Sequence, residues 1–192
     1  PLHVKLTTRA EIVVGSRKPE LIDLFSGSGL IVKSAEGDAA VWGKLLINLA
    51  NAICALTRTD FMALFTDHDL RKIYVAVLDE ATTAMQHAGV AWQLPLIVPY
   101  PVYRWMLLRG GPLPWWFARF RNGVRPGAYP SMVADVEAGR VTEVDQLNGE
   151  ICALGAAAGF ATPINQGILR MIQSRASPEP VAAAELRRLL GI

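Results

Sequence analysis

The stretch Trp42-Gly43-Lys44-Leu45-Leu46-Ile47-Asn48-Leu49-Ala50-Asn51 decides how this chain folds. At about 100° per residue, Lys44, Asn48 and Asn51 share one narrow sector, while Leu45, Leu46, Ile47, Leu49, Ala50, Ile53 and Leu56 fill the rest of the circumference. A helix apolar on nearly every side is a buried helix. Its polar stripe faces a partner inside the fold or a wet cleft, since an uncompensated ammonium costs several kcal/mol to desolvate. A plainer alternative is a lysine whose head snorkels to the surface beside two asparagines that cap neighbouring backbone.

Outward from this stretch the pattern stays helical. Asp38 is placed to cap a first helix running to about Thr57. The run from Asp69 to His87 sets Ile73, Val77, Leu78, Ala81 and Met85 on one side, and Gly89 stops it. Further helices are expected at 100–109, 113–121, 131–138, 142–158, 163–175 and, after Pro178, 179–190. Thr142 is placed to cap its helix with Glu143 and Asp145 in the first turn, and Thr162 with Pro163 is a helix-start signal. Upstream the character changes: Leu2 to Thr8 and Glu11 to Gly15 read as strands, Pro19 to Phe25 as a short helix and Gly29 to Lys33 as a strand. Residues 1–37 are therefore expected to be the tail of an α/β domain, and residues 38–192 a helical domain.

Composition narrows the function classes. A net charge of +2 over 192 residues argues against a nucleic-acid partner, for which a clustered basic face is expected. Cys54 and Cys152 sit in apolar helical patterns and read as free buried thiols of a reducing, cytoplasmic compartment. His3, His68 and His87 lie far apart, so no metal site is expected. Each suits a surface or boundary position. No hydrophobic signal segment precedes the first strand.

A second cluster gives the polar stripe its meaning. Pro-Ser-Met-Val-Ala-Asp at 130–135, Gly-Arg-Val-Thr-Glu-Val-Asp-Gln-Leu-Asn-Gly at 139–149 and Thr-Pro-Ile-Asn at 162–165 follow in order. Together with Lys-Leu-x-x-Asn at 44–48, they make the chain from about Asp38 to about Ile172 resemble the C-terminal domain of the ketopantoate reductases, or 2-dehydropantoate 2-reductases. That resemblance implies a helical domain of the 6-phosphogluconate-dehydrogenase-like type preceded by a small remnant of a Rossmann domain, with substrate between the two. It implies NADPH-dependent reduction of a small-molecule 2-keto acid to the 2-hydroxy acid, on the route to pantothenate and coenzyme A. It also implies a possible homodimer through the helical domain.

Carried over position by position, Lys44 matches the family's proton-donating lysine, which suits an ammonium facing a developing alkoxide. Asn48 matches a substrate-binding asparagine and Ser131 the serine that hydrogen-bonds substrate. Glu143 matches the acid that lies by the nicotinamide end and helps hold the lysine. Where several members carry a second asparagine eight residues after the lysine, this chain has Ala52 and offers Asn51 in nearly the lysine's direction. Local structure competes for two of these positions: Glu143 also suits a helix first turn, and Ser131 a cap for the segment through Ala138.

The glycine-rich fingerprint of a dinucleotide site, Gly-x-Gly-x-x-Gly between strand and helix, is absent. Gly27-Ser28-Gly29 lies between an expected helix and an expected strand, the wrong order for a phosphate cradle, and reads as a turn. NADP(H) is accordingly expected to be bound mainly by a Rossmann half that this sequence lacks, and the fragment alone to be inactive.

The stretch 94–121 departs from the family. Three of the five tryptophans lie there beside several arginines, interrupted too often by proline and arginine for a membrane span of about 20 apolar residues. A membrane partner is not expected, although an interfacial anchor, a lid over the substrate cleft and a dimer contact all suit the composition. An enlarged hydrophobic insertion near Ser131 would also suit a bulkier keto acid. A non-catalytic helical module for dimerisation or ligand binding is the other class that fits.

Overall fold

A computed structural model describes residues 11–14, 19–25, 31–34, 38–174 and 179–192. It begins with a strand β1 (Glu11–Val14), a short helix α1 (Pro19–Asp23) and a strand β2 (Ile31–Ser34). The strands pair in parallel, Glu11 opposite Ile31 and Val14 opposite Ser34. Parallel neighbours need a crossover, and α1 lies on it, as in an α/β unit. The strand expected at 2–8 and the turn expected at Gly27-Ser28-Gly29 lie outside the described residues.

The helical part opens with α2 (Ala39–Asn48) and α3 (Ala50–Thr57). Leu49 between them keeps helical backbone angles, φ −58° and ψ −21°, so the two run as one rod. Its 19 residues have a mean hydropathy of 1.5, enough by length and composition for a membrane span, but half of the window is buried inside the fold. Leu46, Leu49, Ile53 and Cys54 are wholly enclosed. Asp38 does not cap with its side chain as expected. A side-chain cap needs extended backbone at that position, and Asp38 is already helical at φ −78° and ψ −11°.

A short helix α4 (Phe61–Thr66) follows, then α5 (His68–His87), the long strut of the fold. Asp60 and Asp67 cap these two: Asp60 Oδ1 accepts from Ala63 N–H at 2.8 Å, and Asp67 Oδ1 from Asp69 and Leu70 N–H at 2.8 and 2.9 Å. Ile73, Val77, Leu78, Ala81 and Met85 form the buried face of α5 as their spacing requires. Spacing alone starts this helix at Asp69; the Asp67 cap moves its start to His68. Against α5 pack α6 (Tyr100–Arg109), a later α9 (Glu150–Ala157), α10 (Pro163–Gln173) and α11 (Ala183–Leu190). A helix α7 (Leu113–Asn122) sits on α4, and α8 (Ser131–Glu137) lies along α3.

Two details set the tolerances. Gly43 is pressed against the segment after α5, so closely that a Cβ there would lie 1.7 Å from the Gln93 carbonyl oxygen. The contact is fixed by Gln93 N–H donating to Ala39 O at 2.9 Å. The helix expected at 142–158 is not uniform: Asp145–Gly149 is a π-helical turn that passes directly into α9.

Candidate functional site

The continuous α2–α3 rod carries the stripe from solvent into the interior. Lys44 is exposed, Asn48 half-buried and Asn51 only 9% exposed. The lysine is solvated, as both the wet-cleft and the snorkelling alternatives require, and its ammonium forms no ion pair among the described residues. At the inner end of the stripe, Asn51 Nδ2 donates to Glu143 Oε1 at 3.5 Å, bridging positions 92 residues apart in sequence. Glu143 is itself exposed, so its carboxylate is reached by solvent on one side and by Asn51 on the other. The structure brings Asn51 and Glu143 together; it shows no direct link from Lys44 to Glu143. Ser131 is exposed as the first residue of α8, whose N-cap is Pro130, so Ser131 does not act as the cap.

The segment that follows Glu143 is held by a polar network that spacing alone did not suggest. Thr142 Oγ1 accepts weakly from Val144 N–H at 3.4 Å, and the π-helical turn follows at once. Within that turn Asn148 is fully buried and its Nδ2 donates to Asn165 Oδ1 at 3.0 Å. Asn165 Nδ2 in turn donates to Glu80 Oε1 at 2.9 Å and to Val77 O at 3.3 Å. Glu80 then caps α10 from outside the helix, accepting from Ile164 N–H at 2.9 Å and Asn165 N–H at 2.8 Å. Two orphan donors of a helix start are thereby satisfied by a carboxylate, which the helix dipole also favours. Thr162 holds the N-cap position without a side-chain cap bond, because its methyl group is packed over Gly155. The asparagines of Thr-Glu-x-Asp-x-x-Asn-Gly and Thr-Pro-x-Asn thus bind each other. A lone Glu80 in mid-helix gave no sign of this role.

The cysteines and histidines lie away from this network. Cys54 is fully buried, and burial pushes its thiol up to about 12. Cys152 is only half-buried, contrary to the expectation of two buried thiols, because it lies on the rim of α9 between Ile151 and exposed Ala153. Burial raises its thiol as well. His68 is exposed, and His87 is exposed with its ring stacked on Phe160 at 4.8 Å. Among the described residues, no three His, Cys, Asp or Glu side chains gather into a metal-holding group.

Residues 37–176, which contain the whole of this constellation, match the family described as the ketopantoate reductase PanE/ApbA C terminal. The chain belongs to that family. The chain is 45% identical over 47 residues to a 2-dehydropantoate 2-reductase of Aquifex aeolicus (strain VF5), a match covering 24% of this chain and 15% of that protein. Among solved structures, a PanE/ApbA family ketopantoate reductase from Ralstonia eutropha JMP134 superposes with a TM-score of 0.64 at 23% identity, over 87% of this chain and 51% of that one. A ternary structure of D-mandelate dehydrogenase with NADH and anilino(oxo)acetate superposes with a TM-score of 0.63 at 20% identity, over 81% of this chain and 47% of that one. The chain therefore spans about half the length of these structures. They share its fold: the helical domain is that of the ketopantoate reductase family, an oxidoreductase family.

Proposed function

We propose that this chain is the substrate-side part of an NADPH-dependent reductase that converts a 2-keto acid, 2-dehydropantoate or a close analogue, to its 2-hydroxy acid in pantothenate and coenzyme A synthesis. The observation that carries the proposal is the meeting of Asn51 with Glu143 at the inner end of a stripe whose outer end is an exposed ammonium. By helical spacing Lys44 and Asn51 project in nearly the same direction, so the ammonium and the carboxylate that Asn51 binds would act from one side of the α2–α3 rod. In this mechanism Lys44 stabilises the alkoxide that forms on the ketone oxygen and delivers the proton to it. Asn48 and Ser131 hydrogen-bond the substrate, and Asn51 reaches the Glu143 carboxylate through a long hydrogen bond. Glu143 would hold the nicotinamide end of the cofactor.

The cofactor, when bound, supplies the hydride. Of this chain's residues Glu143 would face the cofactor, and a Rossmann half with a glycine-rich turn, a motif these 192 residues do not contain, would hold its phosphates. The parallel β1–α1–β2 unit suits the last part of such a domain, with residues 38–192 as the substrate and dimerisation domain.

Ketopantoate-dependent NADPH oxidation by the full-length parent, beside Lys44→Ala, tests the proposal. A loss of roughly 10²- to 10⁴-fold in kcat is expected of a general acid. Equal rates would remove Lys44 from the chemistry. A second reading, reduction of a bulkier keto acid, draws support from the aromatic stretch 94–121 that leads into Ser131, and from the aromatic ligand in the D-mandelate dehydrogenase structure. Turnover of an aryl keto acid without turnover of ketopantoate would establish it.

A further inference from the structure

The α6–α7 hairpin leaves an apolar surface with no partner among the described residues. Seven of the thirteen exposed large hydrophobic residues among those described fall between Ile97 and Tyr129, so exposure is concentrated there rather than scattered. On α7 the buried side is Pro114, Trp115 and Ala118. At 100° per residue, Leu113, Trp116 and Phe120 fall within about 60° of one another on the opposite side. The three are 49%, 49% and 70% exposed, and the Trp116 and Phe120 rings stack at 5.1 Å. On α6 the buried side is Tyr103 and Leu107, while Val102 and Trp105 project away from it together with Arg109. Each helix is therefore apolar on two sides, one spent on the core and one facing solvent.

Charge says what covers the second side. From Ala81 to Ala134 the sequence has five arginines and no aspartate, glutamate or lysine. Arg104 is neutralised by Asp79, its Nε donating to the two carboxylate oxygens at 2.8 and 2.9 Å. Arg109, Arg119, Arg121 and Arg125 form no ion pair among the described residues. Arg119 and Arg121 flank the Trp116–Phe120 stripe on its two sides. Beside the stripe an open cavity of about 510 Å³ is lined by Arg119, Phe120, Gly123, Val124, Arg125 and Pro126. Two guanidinium groups at the wall of a cavity next to exposed aromatic rings suit a phosphate joined to an apolar body. A second copy docked face to face would set one unpaired arginine cluster against another with no carboxylate between them. A nucleic acid would leave Val102 and Leu113 unused, since aliphatic side chains offer no stacking face.

We propose that the α6–α7 hairpin docks on an anionic phospholipid bilayer. Headgroup phosphates sit between Arg119 and Arg125, and Trp116, Phe120 and Leu113 enter the interfacial layer. The contact is peripheral, and it is independent of the reductase reading. The mean hydropathy of the rod α2–α3 plays no part in it, because that rod is core.

Co-sedimentation of the full-length parent with vesicles of phosphatidylcholine alone, and with vesicles containing phosphatidylglycerol, tests the contact. Binding is expected only to the anionic vesicles, with a blue shift of tryptophan emission, and it weakens as salt rises from about 0.1 to 1 M and the screening length falls from about 10 to 3 Å. R119A/R125A should weaken binding by roughly 25-fold, at about fivefold per arginine near an anionic surface. W116A/F120A should weaken it by tenfold or more. The arginine pair is exposed, so R119A/R125A decides the matter even where the aromatic variant fails to fold. Equal retention on both vesicle types, or anionic binding unchanged in R119A/R125A, overturns the proposal. So does loss of a dimer in W116A/F120A with no change in vesicle binding, or tighter binding to a single-stranded oligonucleotide than to the vesicles.

Discussion

Gly43→Ala sets two effects of opposite sign against each other. In a helix interior alanine is favoured over glycine by about 1 kcal/mol, so a bare helix would gain. Here the added Cβ would lie 1.7 Å from the Gln93 carbonyl oxygen, whereas a tolerable contact begins near 3.0 Å, so the two backbones must part by at least 1.3 Å. The obstacle is backbone on both sides, and the Gln93 N–H to Ala39 O bond that joins them at 2.9 Å would be lost with the separation. Overpacking costs about 1–3 kcal/mol and the hydrogen bond about 1 kcal/mol, against the 1 kcal/mol of propensity. The net expectation is a destabilisation of about 2 kcal/mol, or a fall in Tm of roughly 4–8 °C for a chain of this size. Lys44 is the next residue, so the shift also carries the ammonium out of place. A misplacement of about 1 Å can cost on the order of 10²-fold in turnover. Urea unfolding of Gly43→Ala beside the parent, with kcat of the full-length protein, measures both. An unchanged or raised midpoint would refute the close approach, because the gain in helix propensity would then outweigh any clash.

Glu80→Ala strips the start of α10 of its carboxylate and leaves Asn165 short of a partner; a loss of about 2–3 kcal/mol is expected by chemical denaturation. Asp60→Ala removes both the α4 cap and the bond from Gly127 N–H to Asp60 Oδ2 at 2.8 Å, and should cost about 1–2 kcal/mol by the same measurement. A thiol reagent at pH 8 should label at most Cys152 in the folded protein and both cysteines after unfolding, since Cys54 is enclosed and its thiol held near 12. The folded state keeps that proton while the unfolded thiol, with an ordinary value of 9.0, gives it up. Cys54 therefore makes stability fall as pH rises from about 9 toward 12, a slope that Cys54→Ala should flatten in alkaline unfolding curves.

Most of the fold was legible because helices announce themselves by period and by their stops. The α5 face from Ile73 to Met85 and the helices at 100–109 and 113–121 follow from spacing, with Gly89 and Gly123 taking positive φ where their helices end. What escaped were features fixed by partners distant in sequence. The short helix α4 had its start signal in Asp60, but six residues are too few for a period to show. The π-helical turn at Asp145–Gly149 could not be seen, since its extra residue per turn is held by Asn148 reaching to Asn165. Caps misled in both directions: Asp38 and Thr162 have the right residue type but the wrong backbone or packing, while Glu80 caps α10 from another helix. In the candidate site the direction of Lys44, Asn48 and Asn51 followed from helical geometry. The bond from Asn51 to Glu143 did not, because it depends on how α3 meets the segment before the π turn.

That division bears on the choice between a reductase and a helical module without turnover. Asn148 and Asn165, two of the residues that make the motifs recognisable, spend their amide groups on each other and on Glu80 inside the protein, while Asn148 Oδ1 is buried without a hydrogen-bond partner. A descendant that had lost all chemistry would still need them to hold α5, α9 and α10 together. Their presence therefore speaks for the scaffold and is neutral on catalysis. Lys44 is different. It is exposed and makes no ion pair among the described residues, so the fold loses little without it. Glu143 is of the same kind: its side chain is exposed, and among the described residues its carboxylate takes one hydrogen bond, from Asn51 at 3.5 Å. Lys44→Ala separates the two classes cleanly, because packing predicts a stability change within about 0.5 kcal/mol for an exposed side chain. Collapse of turnover at unchanged stability would mark Lys44 as a group the chemistry requires, and unchanged turnover at unchanged stability would leave the stripe without a catalytic purpose.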